Sequence, residues 1–207
     1  MIRNLKVLGL AAMAVLAIGA VGASAASAAN FTAAEYPAIG SGAQSVEHEF
    51  NAAGVEVNCS TAKFASTLNS ASETLTIAPT YSGCKGFFGV SATVTGFGAE
   101  ACDYTFHSNG EVDLDCAEGT EVTIESSPCT VHIPGQTGLS SNTFTNNTPS
   151  AGKVTVDTEV SGIHGVMTRN NFLCPGTAGT FTNGTYTGTT VMEAKNGEGG
   201  AVSIDVG

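Results

Sequence analysis

The chain has 207 residues, with 18 Asp and Glu against 7 Lys and Arg, and a formal net charge of −11. A surface this acidic repels phosphate backbones, which argues against nucleic acid and anionic membranes as partners. The six cysteines point to disulfides, and the lack of any tryptophan removes the usual sugar-stacking side chain.

Residues 1–28 read as a secretory signal peptide. Arg3 and Lys6 precede an apolar run from Val7 to Val21, and Ala23-Ser24-Ala25 and Ala26-Ser27-Ala28 are small-residue cleavage signals. The apolar run is shorter than the ~20 residues that a membrane span needs, and no later stretch is apolar enough to span. The expected destination is therefore extracellular, with residues 29–207 forming a single domain. Loss of Arg3 and Lys6 moves the net charge from −11 to −13 and leaves Lys63, Lys85, Lys153, Arg169 and Lys195 as the fixed cations.

Along the rest of the chain, short alternating segments are separated by turn residues. Asn30 to Ala43 reads as an extended lead-in broken by Pro37 and Gly40-Ser41-Gly42. Glu47 to Phe50, Gly54 to Asn58 and Lys63 to Leu68 read as short strands. Glu73 to Ile77 alternates and is expected to stop before Pro79, and Tyr81-Ser82-Gly83-Cys84 reads as a turn that delivers a cysteine. Val90 to Gly96 is a strand of small and β-branched residues.

From Cys102 to Cys129 the alternation is strict, with the period of half-buried strands. Ser108-Asn109-Gly110 suits a three-residue hairpin loop whose third residue is left-handed, a conformation glycine takes without steric cost. Cys102 then faces Cys116, Tyr104 faces Leu114, Phe106 faces Val112 and His107 faces Glu111. A second such loop at Ala117-Glu118-Gly119 would lay Leu114 against Val122 and Val112 against Ile124. The apolar residues share one face. Asp103, His107, Glu111, Asp113, Asp115, Glu121 and Glu125 share the other, with Asp115 opposite both Asp103 and Glu121. Like charges across a sheet repel, so water, salt, a cation or a basic partner should relieve them.

Beyond Cys129, Thr130 to Ile133 reads as a strand closed by Pro134-Gly135, Gln136 to Ser141 as a loop, and Thr143 to Thr145 as a strand. Lys153 to Val160 is a strong strand, with Gly162 to Thr168 returning beside it. Arg169 to Thr177 is a loop holding Cys174. Thr180 to Thr182 and Tyr186 to Met192 flank a hairpin signal at Asn183-Gly184. Asn196-Gly197 turns into a last strand, Ala201 to Val206. No segment sustains a helical period. Many short strands with regular turns imply an all-β, disulfide-stapled antiparallel β-sandwich, with a barrel as the alternative.

Six cysteines allow about 15 connectivities. The hairpin register favours Cys102–Cys116. Cys59 and Cys84 flank an expected strand pair and come next, which leaves Cys129–Cys174. There is no C-x-x-C for zinc or thioredoxin-like chemistry.

The leader, Tyr81-Ser82-Gly83-Cys84, Cys102-Asp103-Tyr104-Thr105-Phe106 and Tyr186-Thr187-Gly188 together resemble small uncharacterised secreted β-rich proteins of high-GC Gram-positive bacteria. The resemblance implies export and a disulfide-bonded β fold. It implies no activity and no functional residues.

For a metal site the candidates are Asp103, Asp113, Asp115 and Glu121, and Ca²⁺, which takes about 6–8 oxygen ligands, is the ion that fits them. No calcium-loop motif accompanies them, and a solvated acidic face is the plainer reading. His107 opposite Glu111 is the nearest approach to an acid–base pair. His48 lies between Glu47 and Glu49, but alternation puts those two on the opposite face. No nucleophile elbow, zinc-protease helix, P-loop or dinucleotide fingerprint is present. The expectation is a secreted, non-enzymatic surface or matrix interaction module for an extracellular polymer, protein or surface. A Ca²⁺-dependent module using the acidic face and a hydrolase with a carboxylate or His site are the alternatives.

Overall fold

The structure, a computed structural model, describes residues 29–98 and 100–207. The expected signal peptide, residues 1–28, lies outside them. In chain order the strands are β1 (Phe31–Ala33), β2 (Ala38–Ala52), β3 (Val55–Leu68), β4 (Thr74–Lys85), β5 (Ser91–Thr95), β6 (Cys102–His107), β7 (Val112–Cys116) and β8 (Glu121–Ser126). They continue with β9 (Cys129–Pro134), β10 (Gln136–Leu139), β11 (Asn142–Asn146), β12 (Val154–Arg169), β13 (Gly179–Lys195), β14 (Ala201–Val202) and β15 (Ile204–Val206).

The all-β class is as expected, but the architecture is a closed antiparallel barrel and not a sandwich. Eight strands run in the order β4-β3-β2-β13-β12-β9-β8-β5, and β5 returns to β4 through Cys84 opposite Ala92 and Lys85 opposite Ser91. Closure pairs the last strand of this path with the first. Four strands of 14 to 17 residues (β2, β3, β12 and β13) form one continuous wall.

The opposite wall has two levels. At one level, β5, β8 and β9 join the end of β4 to the end of β12. At the other, β6 pairs with Thr74 to Ile77 of β4, β7 pairs with β6, and β10 with β7. Gln136 ties this second unit to β12: its Nε2 donates to the His164 carbonyl at 3.2 Å, and its Oε1 accepts from the His164 N–H at 3.1 Å. The small β1–β15 ladder lies against β11 and β3, and Asn146 holds β15 through both its amide nitrogen and its amide oxygen.

The long strands correct several sequence-based boundaries for one physical reason: glycine and proline mark close approach as well as turns. Gly40 and Gly42, expected to break the chain, lie inside β2. A Cβ on Gly40 would sit 2.2 Å from Ser66 Oγ, and one on Gly42 would sit 2.2 Å from Met192 Sδ. Pro79 lies inside β4 opposite Phe64. The stretch of β4 around it, between the β6 and β5 pairings, needs no donor on its second side, so a residue without an N–H is tolerated there. The expected turn at Tyr81 to Cys84 is strand for the same reason. Gly162, at φ 79°, is a bulge in a single strand β12 rather than a hairpin, and Asn183-Gly184 likewise lies within β13. Gln136 to Leu139, expected as loop, is β10.

The first hairpin has the expected register: Cys102 opposite Cys116, Tyr104 opposite Leu114 and Phe106 opposite Val112, with Gly110 at φ 93°. The second turn also forms, with Thr120 N–H donating to the Ala117 carbonyl at 3.0 Å. The strand after it goes elsewhere. β8 pairs with β9 and β5, and β7 takes β10 as its second neighbour. Val122 and Ile124 still face inward, so the face is as expected while the partner is not. The disulfides are Cys59–Cys84, Cys102–Cys116 and Cys129–Cys174, with no free cysteine among the described residues.

Candidate functional site

Alternation along the barrel strands sends apolar side chains to the interior. Glu47, Lys63, Glu159, Thr187 and Glu193 are exposed on the outside. No helix among the described residues is long and apolar enough to cross a membrane. The interior is not completely filled. A cavity of about 90 Å³ is walled by Phe50, Phe64, Phe97 and Phe106, by aliphatic residues of both levels, by Gln136, Asn142 and Thr158, and by a further polar group around His48. A second cavity of about 50 Å³ lies towards β1 and β15 and shares Ile77, Phe106, Val156 and Met192 with the first.

The polar group is a chain of hydrogen bonds drawn from four strands. His48 of β2 is 3 % exposed. Its Nε2 lies 3.0 Å from Thr190 Oγ1 of β13, and its Nδ1 lies 2.6 Å from the Tyr186 hydroxyl. Tyr186 is 2.6 Å from the Tyr81 hydroxyl of β4, and Tyr81 is 3.3 Å from that of Tyr104 on β6. Position follows from register. His48 faces Cys59, Tyr186 faces Phe50, Tyr81 faces Ala62 and Tyr104 faces Ile77. Gly188 makes room for the imidazole, since a Cβ there would lie 2.4 Å from His48 Nδ1.

These groups are neutral. Burial lowers His48 from 6.5 to about 4, and a bond to the Thr189 backbone only partly opposes this. Burial, followed by the neighbouring phenols, pushes Tyr81, Tyr104 and Tyr186 well above the ordinary tyrosine value. Rings surround the chain at contact distance. Phe64 is 5.3 Å from His48, and Phe97 is 5.7 Å from Tyr81 and 5.2 Å from Tyr104. No Asp, Glu, Lys or Arg lines the cavity.

Alternation in the sequence places Tyr104 on an inner face and the neighbours of His48 on the opposite face, but does not join them. Tyr81 lies in a stretch that reads as a turn, and the four residues are up to 138 positions apart. The signal that was available was a histidine and three tyrosines at inward positions of alternating segments.

The expected acidic site is only partly assembled. Asp103 does face Asp115. Asp115 accepts from Thr105 Oγ1, and Asp113 accepts from His107 Nε2 at 2.9 Å and from the Gly138 N–H at 2.7 Å. Burial alone would raise the Asp113 carboxyl, but the His107 and Gly138 bonds outweigh it and hold it below the usual value. Burial raises Asp103, whose Oδ1 has no hydrogen-bond partner among the described residues. Glu121 is drawn away with β8, faces Pro134 and pairs with His132 at 2.7 Å. No group of three or more His, Cys, Asp and Glu side chains among the described residues is placed to hold a metal ion. His107 bonds Asp113 and not the expected Glu111, whose carboxylate takes Asn109 instead. No protein-family model matches the chain, and neither does any curated protein or solved structure.

Proposed function

We propose that the chain is a secreted, non-enzymatic binding module whose ligand is a small, uncharged, largely apolar molecule held inside the barrel. The observation that carries this reading is a ring-walled interior cavity with no charged side chain and with hydrogen-bonding side chains in its wall. An eight-stranded barrel has an interior just wide enough to be filled by side chains or to hold one small ligand. A charged ligand would lose its hydration without gaining a partner, so it is disfavoured. Export is supported by the leader-like residues 1–28 and by three disulfides, which persist in oxidising compartments.

Size bounds the ligand. A cavity of ~150 Å³ admits benzene, and the two cavities here together approach that volume, with the flexible Met192 lining both; the second, unlike the first, has one acidic residue, Asp205, in its wall. The ligand therefore has roughly six non-hydrogen atoms. At a ceiling of about 1.5 kcal/mol per atom, its dissociation constant is no tighter than a few tenths of a micromolar, to order of magnitude.

The test is thermal unfolding of the oxidised protein with cyclopentane, cyclopentanol or cyclopentylammonium. A neutral ligand at about ten times its dissociation constant should add about 1.4 kcal/mol and raise the midpoint by about 3–6 °C. The ammonium should raise it by nothing measurable. Equal shifts for all three compounds, or no shift for any, would overturn the reading.

A further inference from the structure

A buried amide side chain has two polar ends to satisfy, and Asn142 has satisfied one. It opens β11 and faces Thr158 of β12. The residue is 7 % exposed and lines the larger cavity. The Gly110 carbonyl accepts from it twice, from the backbone N–H at 3.0 Å and from Nδ2 at 3.1 Å. Gly110 comes this close because it lacks a side chain: a Cβ there would lie 2.6 Å from the Asn142 carbonyl oxygen.

These contacts fix which end is left over. A carbonyl only accepts, so turning the amide over would set two acceptors against each other. The remaining end is therefore Oδ1, which is buried and has no hydrogen-bond partner among the described residues. Gln44 and Asp103 carry the other such atoms, and neither lines the cavity. Gln136, in the same wall, spends both ends inside the protein: Nε2 donates to the Pro134 and His164 carbonyls, and Oε1 accepts from the His164 N–H. His48 bonds Thr190, Tyr186 and the Thr189 backbone, and the three tyrosine hydroxyls bond one another in series. The Thr158 hydroxyl, opposite Asn142, does not donate to Oδ1.

We propose that Asn142 Oδ1 anchors the polar atom of the barrel's ligand, and that this ligand is a hydrogen-bond donor: a small neutral molecule with an N–H or O–H group on an apolar body. This rests on the cavity reading above and narrows it. A buried acceptor without a partner bears the full cost of its desolvation, and a donor that reaches it recovers that cost. A molecule with acceptor atoms alone would set lone pair against lone pair, and a hydrocarbon would leave the acceptor unmet. An ammonium loses more hydration than one neutral carbonyl returns. At equal shape, a neutral donor is therefore preferred over an acceptor.

Pyrrole and furan test this, being five-membered rings of nearly the same shape that differ in N–H against O. In NMR titrations of the oxidised protein, pyrrole should bind wild type about threefold to tenfold more tightly than furan. Asn142→Leu keeps the bulk and leaves the Gly110 carbonyl its backbone N–H partner, and it should remove the preference. The Asn142 ¹³Cγ resonance should move downfield with pyrrole, as a carbonyl does on accepting a hydrogen bond, and should not do so with furan. If wild type binds both rings equally, as it would were Oδ1 already met by Thr158 or a water, the proposal falls and the cavity reading stands. The same holds if the preference persists in Asn142→Leu, which would place the anchor among His48 and the tyrosines. If neither these rings nor cyclopentane binds, both fall. Should Asn142→Leu fail to fold, the wild-type ¹³Cγ shift decides, and a resonance unmoved by bound pyrrole overturns the proposal.

Discussion

Acidification should destabilise this protein through His48. The imidazole is 3 % exposed and its folded-state value is lowered by burial from 6.5 to about 4. Above pH 6.5 neither the folded nor the unfolded state binds the proton. Between pH 6.5 and about 4 the unfolded chain takes it up and the folded one does not, so stability falls with pH at about 1.4 kcal/mol per unit. Below about 4 the folded state is protonated too, and the slope from this group ends. Over the whole window the loss is about 3 kcal/mol, or about 6–12 °C in midpoint for a domain of this size. The assay is urea unfolding of oxidised wild type and His48→Gln at half-unit steps from pH 7.5 to 4. Contributions from groups elsewhere in the chain are common to both proteins and cancel in the difference. The advantage of wild type over His48→Gln should shrink by about 3 kcal/mol as the pH falls. Parallel curves would refute the neutral, desolvated imidazole.

The remaining predictions concern packing, cross-links and the acidic face. Gly188→Ala would place a methyl 2.4 Å from His48 Nδ1. It should cost about 1–3 kcal/mol in urea unfolding, whereas unchanged stability would mean that the ring has room to move. Removing Cys129–Cys174, which spans 45 residues, should cost about 4 kcal/mol. Removing Cys102–Cys116, which spans 14, should cost about 3 kcal/mol, in the chain-entropy picture; paired Cys→Ala variants measured by denaturant unfolding would check the order. Millimolar Ca²⁺ should leave the thermal midpoint within about 1 °C of its value in EDTA, because Asp113 and Asp115 already accept hydrogen bonds from His107, Gly138 and Thr105. A rise of several degrees that is lost in Asp113→Asn would show a cation site on that face.

The fold was legible in the sequence wherever the signal was local. The face of each strand from Cys102 to Ile124, the Gly110 hairpin and its register, and the pairing of Cys102 with Cys116 all follow from a period of two and a loop length. Strand length was not legible. Gly40, Gly42, Pro79 and Gly162 read as punctuation because a bulge, an unpaired strand side and a close cross-strand contact require the same residue types as a turn. The same ambiguity hides Tyr81, which reads as part of a turn and lies in the cavity wall.

What the sequence by itself determined is therefore the set of inward-facing side chains: a local property, written in alternation. Which of them meet was decided only by tertiary structure. Barrel closure through β4 and β5, and the departure of β8 from β7 to β9, turn a sandwich's two faces into one enclosed interior. Closure brings His48, Tyr81, Tyr104 and Tyr186 to one point in that interior and takes Glu121 away from Asp113 and Asp115. Strand order is set by the sum of many weak contacts between distant segments, and no short window of residues contains that sum.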